Sequence, residues 1–217
     1  MNKNREIKNA LYEQVARIAK ASANPKRLEL IELLCQAPKA VELLAQETGM
    51  SIKLTSAHLK ELRLARLVET ERQGKHIVYR IASEDVPRFW LGLRTLAEDR
   101  LFELQDALRQ LSSSSGEWRS EDLSELLRKA KGGELIVIDV RPSNEYEQAH
   151  LPYARSMPLA ELQSRVAELP KDTPIVAYCR GPYCLMSADA VRLLQEQGYT
   201  ALQLREGVAD WGLNSLP

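Results

Sequence analysis

No apolar run in this sequence approaches the roughly 20 residues that a helix needs to span a bilayer. The first eight residues, Met-Asn-Lys-Asn-Arg-Glu-Ile-Lys, also lack the apolar core of a secretory signal peptide. Both absences argue against a membrane-embedded or exported protein. We therefore expect a cytoplasmic protein that has no membrane partner.

Cysteine is scarce, since the chain contains three, Cys35, Cys179 and Cys184. An odd number of cysteines without a secretory signal argues against a framework of structural disulfides. We expect reduced thiols, which are reactive where the surroundings favour the thiolate.

The chain also lacks net charge, with 30 Lys+Arg and 30 Asp+Glu, but the charges are unevenly placed. Residues 1–111 carry 19 basic and 15 acidic side chains, whereas residues 112–217 carry 11 and 15. Within residues 51–80 the balance is 7 to 3. A basic segment in a neutral protein points to nucleic acid, although a solvated charged face is an equally open interpretation.

The length of 217 residues suits two domains better than one. A polar Ser-Ser-Ser-Ser-Gly run at residues 112–116 has the composition of a flexible linker. We predict a first domain over residues 1–111, a linker over 112–117 and a second domain over 118–217.

The first domain has mostly helical periodicity and contains one hairpin. The helices are expected over residues 7–21, 25–35, 41–47, 51–64 and 88–111. Asn24, Gly49 and Ser51 are typical capping residues at the ends of these segments. Residues 68–81 alternate around Gly74 and predict a β-hairpin with that glycine at its tip.

Residues 41–64 have the pattern of a helix-turn-helix, in which the second helix enters the major groove of DNA. Leu59 and Leu62 of that helix are expected to face the core. Polar side chains on other faces can contact base edges or phosphates. These candidates are Lys53, Ser56 and Lys60 in the helix and Arg72 and Lys75 at the hairpin tip.

Residues 24–28 (Asn-Pro-Lys-Arg-Leu), residues 56–62 (Ser-Ala-His-Leu-Lys-Glu-Leu) and the hairpin together resemble the ArsR/SmtB winged-helix repressors. The resemblance covers about residues 10–83. It implies a homodimer that binds a double-stranded DNA operator. By motif position the DNA-facing side also includes Ser51 and His58, with a hydrogen-bonded packing role as the alternative for His58.

The sequence departs from this family at three points. Metal-sensing members carry cysteines near the third helix, or histidine and acidic ligands on the last one. Residues 36–50 contain no cysteine and residues 88–111 contain neither histidine nor cysteine, so we expect no metal site. Arg66 stands where the family usually has glycine, and a left-handed turn there would cost roughly 1 kcal/mol. Cys35 is interpreted as a buried apolar cysteine, with sulfur sensing as the alternative.

In the second domain, strand-like and helix-like segments alternate, which predicts an α/β fold with a parallel sheet. Strands are expected over residues 135–139, 174–178 and 200–204, and helices around Glu145 and over 159–169 and 185–197. Cys179 directly follows the second of these strands and precedes the last helix. Backbone N–H groups at such a junction stabilise a thiolate and lower its pKa.

Residues 139–152 (Asp-Val-Arg-Pro-x-x-Glu-Tyr-x-x-x-His-Leu-Pro) and 205–211 (Arg-Glu-Gly-Val-x-x-Trp), with Cys179 between them, resemble the motifs of rhodanese domains. The resemblance covers about residues 118–214. It implies transfer of sulfane sulfur through a persulfide on Cys179 and requires no cofactor. We interpret the side chains of the first motif mainly as turn and packing determinants.

Three residues of the loop are the candidates for the chemistry. Cys179 is the expected nucleophile, and Arg180 could attract an anionic donor. The backbone N–H groups of residues 180–184, apart from Pro182, would form an anion cradle. Cys184 occupies the position where many active rhodaneses carry a basic or small polar residue. It could resolve a persulfide by forming a disulfide, or simply pack as a small side chain.

Three functions are consistent with this sequence. The favoured hypothesis is a DNA-binding regulator that acts as a repressor. Its rhodanese-like domain would sense a small sulfur or oxidant species at Cys179. The alternative is a sulfurtransferase that carries an accessory DNA-binding domain. The third is an inactive rhodanese fold that serves as a docking module, in which case the thiol of Cys179 would be unreactive.

Overall fold

The computed structural model describes residues 3–112 and 123–212. The chain divides into two compact units, Met1–Gly92 and Leu93–Pro217. No helix in the described residues is long and apolar enough to cross a membrane. The predicted linker lies, apart from Ser112, outside the described residues, and the boundary at that place stays a prediction.

The first unit is mainly helical, with a small antiparallel sheet. Its elements are α1 (Lys3–Ser22), α2 (Pro25–Gln36), β1 (Lys39–Ala40), α3 (Val41–Thr48), α4 (Ile52–Leu64), β2 (Val68–Gln73), β3 (His76–Ile81) and the start of α5 (Asp85–Arg100). The strand order is β1-β3-β2, and the β2–β3 hairpin is the predicted one. The winged helix-turn-helix fold is thereby confirmed.

Local sequence signals set the ends of these helices. The Asn24 side chain accepts a hydrogen bond from Arg27 N, and the Ser51 hydroxyl accepts one from Leu54 N. Gly49 ends α3 in the left-handed conformation, with φ of 66°. Arg66 also has a positive φ, 59°, so the left-handed turn occurs there despite the side chain. The predicted caps are confirmed. They could be predicted because each capping bond joins residues that are close in sequence.

Apolar side chains at helical spacing form the core of the first unit. Leu30 and Ile31 of α2 are fully buried, as are Leu44 of α3 and both Leu59 and Leu62 of α4. The prediction that the leucines of α4 face the core is confirmed. The opposite face of α4 is consequently turned to solvent.

The long helix expected over residues 88–111 is interrupted. Helix α5 ends at Arg100, and a second helix, α6 (Phe102–Ser112), follows after Leu101. The side-chain amide of Gln105 donates to the carbonyl oxygen of Glu98 at 2.8 Å. In a continuous helix the Phe102 N–H would bond that carbonyl. A side chain thus takes part in ending α5, which the periodicity of the leucines does not reveal.

The second unit contains a four-stranded parallel sheet with helices packed around it. After α6 its elements are α7 (Leu123–Gly132), β4 (Ile136–Asp139), α8 (Ser143–Gln148), β5 (Arg155–Ser156), α9 (Leu159–Arg165), a 3-10 helix (Val166–Glu168), β6 (Ile175–Tyr178), α10 (Met186–Glu196), β7 (Ala201–Gln203) and α11 (Val208–Gly212). The strand order is β5-β4-β6-β7. All neighbouring strands run parallel, as predicted.

The carboxyl ends of β4 and β6 are joined by a buried polar network. Arg141 Nη2 donates to Asp139 Oδ2 at 2.6 Å and to the carbonyl oxygen of Ala149 at 2.7 Å. The Tyr178 hydroxyl donates to the same carboxylate oxygen at 2.6 Å and accepts from Leu151 N at 3.1 Å. Burial, followed by the charge of Asp139, raises the pKa of Tyr178, so its phenol remains a donor. This network fixes the edge of the sheet at which Cys179 lies.

Replacing the arginine of this network should be strongly destabilising. The carboxylate of Asp139 is 0% exposed and forms an ion pair with Arg141. The substitution Arg141→Met removes this partner and leaves a buried carboxylate without a cation. We expect a loss of about 3–5 kcal/mol of stability in the second unit. Hydrogen exchange of the β4 and β6 amides measures it. The matched control is Arg192→Met, which breaks an ion pair with Asp189 at the surface and should cost at most about 1 kcal/mol. Equal effects of the two substitutions would contradict the role of the network.

Candidate sulfur site and nucleic-acid interface

Cys179 lies in the loop between β6 and α10, at the carboxyl end of a central strand. Its side chain is 1% exposed and belongs to an apolar cluster that includes Ile138, Ala177 and Val191. The strand and the helix therefore hold the sulfur inside the domain. A negative charge at such a place needs hydrogen-bond donors, because burial removes water from it.

A serine and a glutamine supply a buried chain of donors to this sulfur. Ser187 Oγ, in the first turn of α10, lies 3.1 Å from Cys179 Sγ. Gln203 Nε2, at the end of β7, donates to Ser187 Oγ at 3.0 Å. An amide nitrogen can only donate, so the serine oxygen accepts from Gln203, and the serine hydroxyl can donate its own proton to a thiolate at Cys179. The serine is 0% exposed and the glutamine 9%.

These contacts make the thiol of Cys179 acidic. Burial by itself raises its pKa, but hydrogen bonds from the Cys184 thiol and the Ser187 hydroxyl act in the opposite direction. The backbone at Ser187 and Gly181 adds to them, and the pKa falls from its ordinary value of 9.0 to about 7. The surroundings of Cys179 therefore favour the thiolate, the form in which cysteine acts as a nucleophile.

The pKa values of the two loop cysteines, Cys179 and Cys184, are shifted in opposite directions. The hydrogen bond to Cys179, followed by burial and the charge of the Cys179 thiolate, raises the pKa of Cys184. Cys184 therefore keeps its proton while Cys179 ionises. Both are free thiols in this structure, and the Cys179 sulfur lies 3.5 Å from the carbonyl oxygen of Cys184.

Cys35 provides the contrast within the same chain. It lies in α2, and burial, followed by the charge of Glu32, raises its pKa to about 12. No neighbouring donor compensates for the burial of this thiol. Cys35 is therefore protonated at neutral pH, which agrees with its interpretation as a packing residue.

The predicted anion cradle is only partly directed at Cys179. The backbone at Gly181 stabilises the Cys179 thiolate, whereas that at Arg180 and Met186 acts on Cys184. The amide N–H of Cys184 donates to the Gly181 carbonyl oxygen at 3.1 Å, so it closes a turn of the loop. The loop therefore divides its amides between two thiols.

The side chain of Arg180 is paired inside the protein. Its Nη2 lies 2.6 Å from Glu145 Oε1, and its Nε lies 3.0 Å from Glu145 Oε2. The glutamate side chain is 0% exposed and that of the arginine 13%. This pair neutralises the charge of Arg180 and fixes the loop to α8. His150, another residue of the first motif, stacks its ring on that of Tyr146, with the two ring centres 3.9 Å apart. This contact is a packing contact, the kind of role expected for the motif.

Ser187 and Gln203 were not predicted as site residues from the sequence. Ser187 lies eight residues after Cys179, so the two side chains meet only because the loop turns back into α10. The available signal was a glutamine within the apolar strand segment at residues 201–204 (Ala-Leu-Gln-Leu). A buried polar side chain in such a strand requires a partner.

The candidate DNA-contacting residues lie along α4 and the hairpin of the first unit. Lys53 and Lys60 are exposed, Ser56 and His58 are half-buried, and the hydroxyl of Ser51 caps the helix. Arg72 and Lys75, at the turn of the hairpin, are exposed. Arg63, which was not predicted, is another exposed cation on α4. The polar positions thus lie outside the buried stripe of the helix.

Within residues 3–112 and 123–212, no group of three histidine, cysteine or acidic side chains is arranged to hold a metal ion. Several acidic residues of α5 and α6 form ion pairs with arginines of the same helix, namely Asp85 with Arg88, Glu98 with Arg94 and Asp106 with Arg109.

Each half of the chain is similar to a known protein family. The family model described as bacterial regulatory protein, arsR family, matches residues 24–70, and the rhodanese-like domain model matches residues 122–214. The chain is 42% identical over 210 residues to the HTH-type transcriptional regulator Rv0324 of Mycobacterium tuberculosis, covering 97% of this chain and 92% of that protein. The chain belongs to the ArsR-family transcriptional regulators that carry a rhodanese-like domain.

Two further similarities of this ArsR-family regulator each cover one half of the chain. It is 35% identical over 99 residues to a protein named sulfurtransferase from Allochromatium vinosum, covering 45% of this chain and 89% of that protein. A solution structure of the homodimeric winged helix-turn-helix domain of Mb0332 from Mycobacterium bovis is 44% identical, with a TM-score of 0.42. It covers 44% of this chain and 89% of that one.

Removal of the Ser187 hydroxyl should raise the pKa of Cys179. A hydrogen bond to a charged group contributes about 1.5–3 kcal/mol, which corresponds to ~1–2 pKa units. We expect the midpoint of the pH dependence of Cys179 alkylation to move upward by that amount in Ser187→Ala. Peptide mapping after iodoacetamide labelling measures it. Ser164→Ala, on the exposed side of α9, is the control, and an unchanged midpoint in Ser187→Ala would contradict the donor role.

Proposed function

We propose that this regulator senses sulfane sulfur through Cys179 and releases its operator when that cysteine is modified. The observation that carries the proposal is a buried free thiol, Cys179, that lies 3.1 Å from the Ser187 hydroxyl and has a second free thiol, Cys184, in the same loop. These contacts lower the pKa of Cys179. An acidic thiol combines a large thiolate fraction with good nucleophilicity at neutral pH. A merely structural cysteine has no need of the donors from Ser187 and Gln203.

The chemistry has two balanced steps. The Cys179 thiolate attacks the outer sulfur of a persulfide or polysulfide, a Cys179 persulfide forms, and the remaining donor leaves as a thiolate. Cys184 then gives its proton to the outer sulfur and attacks Cys179 Sγ as a thiolate, the persulfide S–S bond breaks, and the outer sulfur leaves as hydrosulfide. The sulfane sulfur is reduced and the dithiol is oxidised to a disulfide.

The charges of the loop favour particular donors. Arg180 is neutralised by Glu145, and Cys184 stands at the position where a basic residue would add positive charge. The dianion thiosulfate therefore finds little electrostatic attraction from these side chains. A persulfide or polysulfide, which carries less charge, fits the site better. In this role Arg180 orients the loop, while its backbone acts on Cys184.

The first unit supplies the DNA-binding function of the family. We assign operator contacts to Ser51, Lys53, Ser56, His58, Lys60, Arg72 and Lys75. A homodimer, which the resemblance implies and which the structure of Mb0332 is described as forming, would present two copies of α4 to a palindromic site. A regulator of this kind acts in the cytoplasm, where its operator lies.

Cys179→Ser tests the sensing function directly. The variant should bind the operator with unchanged affinity but keep it bound when polysulfide is added. The wild-type protein should lose roughly 5–150-fold in affinity, the usual range for coupling between two sites. Fluorescence anisotropy of a labelled operator measures both. Normal release of the operator by Cys179→Ser would refute the proposal.

Cys184→Ser tests the resolving step separately. The persulfide of Cys179 should accumulate in this variant, because no second thiol displaces the outer sulfur. Intact-mass analysis would then show a gain of one sulfur atom, whereas the wild-type protein would show a loss of two hydrogens. The control is Cys35→Ser, which should behave as the wild type. A disulfide in Cys184→Ser, or a stable persulfide in the wild type, would exclude the second step.

The alternative is a sulfurtransferase whose DNA-binding half is accessory. The acidity of Cys179 favours it, as does the similarity of residues in this half to a protein named sulfurtransferase. Steady turnover of thiosulfate with cyanide as acceptor, at ordinary enzymatic rates, would support this function. Turnover near zero together with tight operator binding would exclude it.

A further inference from the structure

Helix α5 places one arginine against the loop that carries Cys179. Arg94 is 8% exposed, and its guanidinium pairs with the carboxylate of Asp210. A Cβ atom added to Gly181 would lie 3.3 Å from Arg94 Nη1 and 3.4 Å from Asp210 Oδ2. The guanidinium carbon also lies 6.0 Å from the centre of the Tyr183 ring. Arg94 thus reaches two loop residues from outside residues 122–214, the segment that the rhodanese-like model matches.

Asp210 is connected to the same loop through Gly207. The amide N–H of Gly207 donates to Asp210 Oδ2 at 2.8 Å. A Cβ atom on Gly207 would lie 2.3 Å from the carbonyl oxygen of Arg180 and 2.8 Å from the amide nitrogen of Gly181. Only glycine allows this approach, so the backbones of the two segments are in direct contact. The peptide between Arg180 and Gly181 is therefore held by Gly207 and by the Arg94–Asp210 pair.

This ion pair is unlike the other arginine–aspartate pairs of the helices in the second unit. The side chains of Arg94 and Asp210 are 8% and 10% exposed, whereas those of Arg109 and Asp106 in α6 are 72% and 63% exposed. Burying two charges has a desolvation cost that often exceeds their attraction. A buried pair of this kind is better explained by a role in fixing one arrangement than by stability alone.

Modification of Cys179 must disturb the atoms around it. Its sulfur lies 3.1 Å from Ser187 Oγ and 3.5 Å from the carbonyl oxygen of Cys184, so an added sulfur or a bond to Cys184 displaces part of the loop. Gly181 has φ of 146°, a conformation that other residues rarely adopt. A rearrangement at Gly181 reaches the Arg94–Asp210 pair, because both charged groups lie against this residue.

We propose that Arg94 is a positioning residue through which helix α5 responds to the chemical state of the Cys179 loop. The helix begins at Asp85, in the first compact unit, and Arg94 is the second residue of the second unit. A change at Arg94 is therefore applied to a helix that continues without interruption into the DNA-binding half. This inference rests on the proposed sensing function, to which it adds the residue that transmits the signal.

The test compares Arg94→Met with Arg109→Met, which removes the exposed pair of α6. Operator affinity is measured for each full-length protein before and after polysulfide treatment, with complete modification of Cys179 verified by intact mass. We expect wild type and Arg109→Met to lose about tenfold or more in affinity and Arg94→Met to lose less than about twofold. Arg94→Lys, which keeps the charge, should recover part of the response.

Each outcome supports or overturns the inference. A tenfold loss in fully modified Arg94→Met would overturn it while leaving the sensing function intact, whereas normal release by Cys179→Ser would overturn the sensing function itself. Failure of folded Arg94→Met to accept sulfur would also overturn it, because the arginine would then serve the chemistry. Asp210→Asn, which keeps the size of the side chain, should show the same loss of response, and a normal response in it would overturn the role of the pair.

Discussion

A cysteine sulfur that lies inside an apolar core and within reach of hydrogen-bond donors is the constraint around which the second unit is organised. Cys179 is 1% exposed, yet its pKa lies near 7, so nearby donors more than offset the cost of burial. Those donors come from the loop itself and from Ser187 at the start of α10, whose hydroxyl in turn accepts a hydrogen bond from Gln203 at the end of β7. The sheet and the helix are thus required for the acidity of the thiol as well as for its position.

The charged groups near this thiol are arranged in pairs. Arg141 is bound to Asp139, Arg180 to Glu145 and Arg94 to Asp210, and all six side chains are at most 13% exposed. Such pairs give fixed geometry rather than a field that attracts anions. The site therefore suits a detector that responds to a chemical change by rearranging, and it is less suited to the rapid turnover of a dianionic substrate.

Much of the architecture could be predicted because it depends on neighbours in sequence. Asn24, Gly49 and Ser51 end or begin helices through bonds to residues three or four positions away. The apolar strand at residues 175–178 likewise follows from its own residues. The break at Leu101 was missed because Gln105 bonds a carbonyl seven residues earlier. Strand β5 was missed because it has two residues, too few for any periodicity.

The sequence by itself determined the two fold families, the place of Cys179 directly after a strand and the presence of a second cysteine in its loop. Tertiary structure decided that the pKa of Cys179 is lowered and that of Cys184 raised, because these shifts depend on the Ser187 hydroxyl, on the contact between the two cysteines and on burial. It also decided that Arg180 forms an ion pair with Glu145, 35 residues away, and that the guanidinium of Arg94 lies against Gly181. These properties arise from contacts across long stretches of chain, which form only when the sheet and helices have packed.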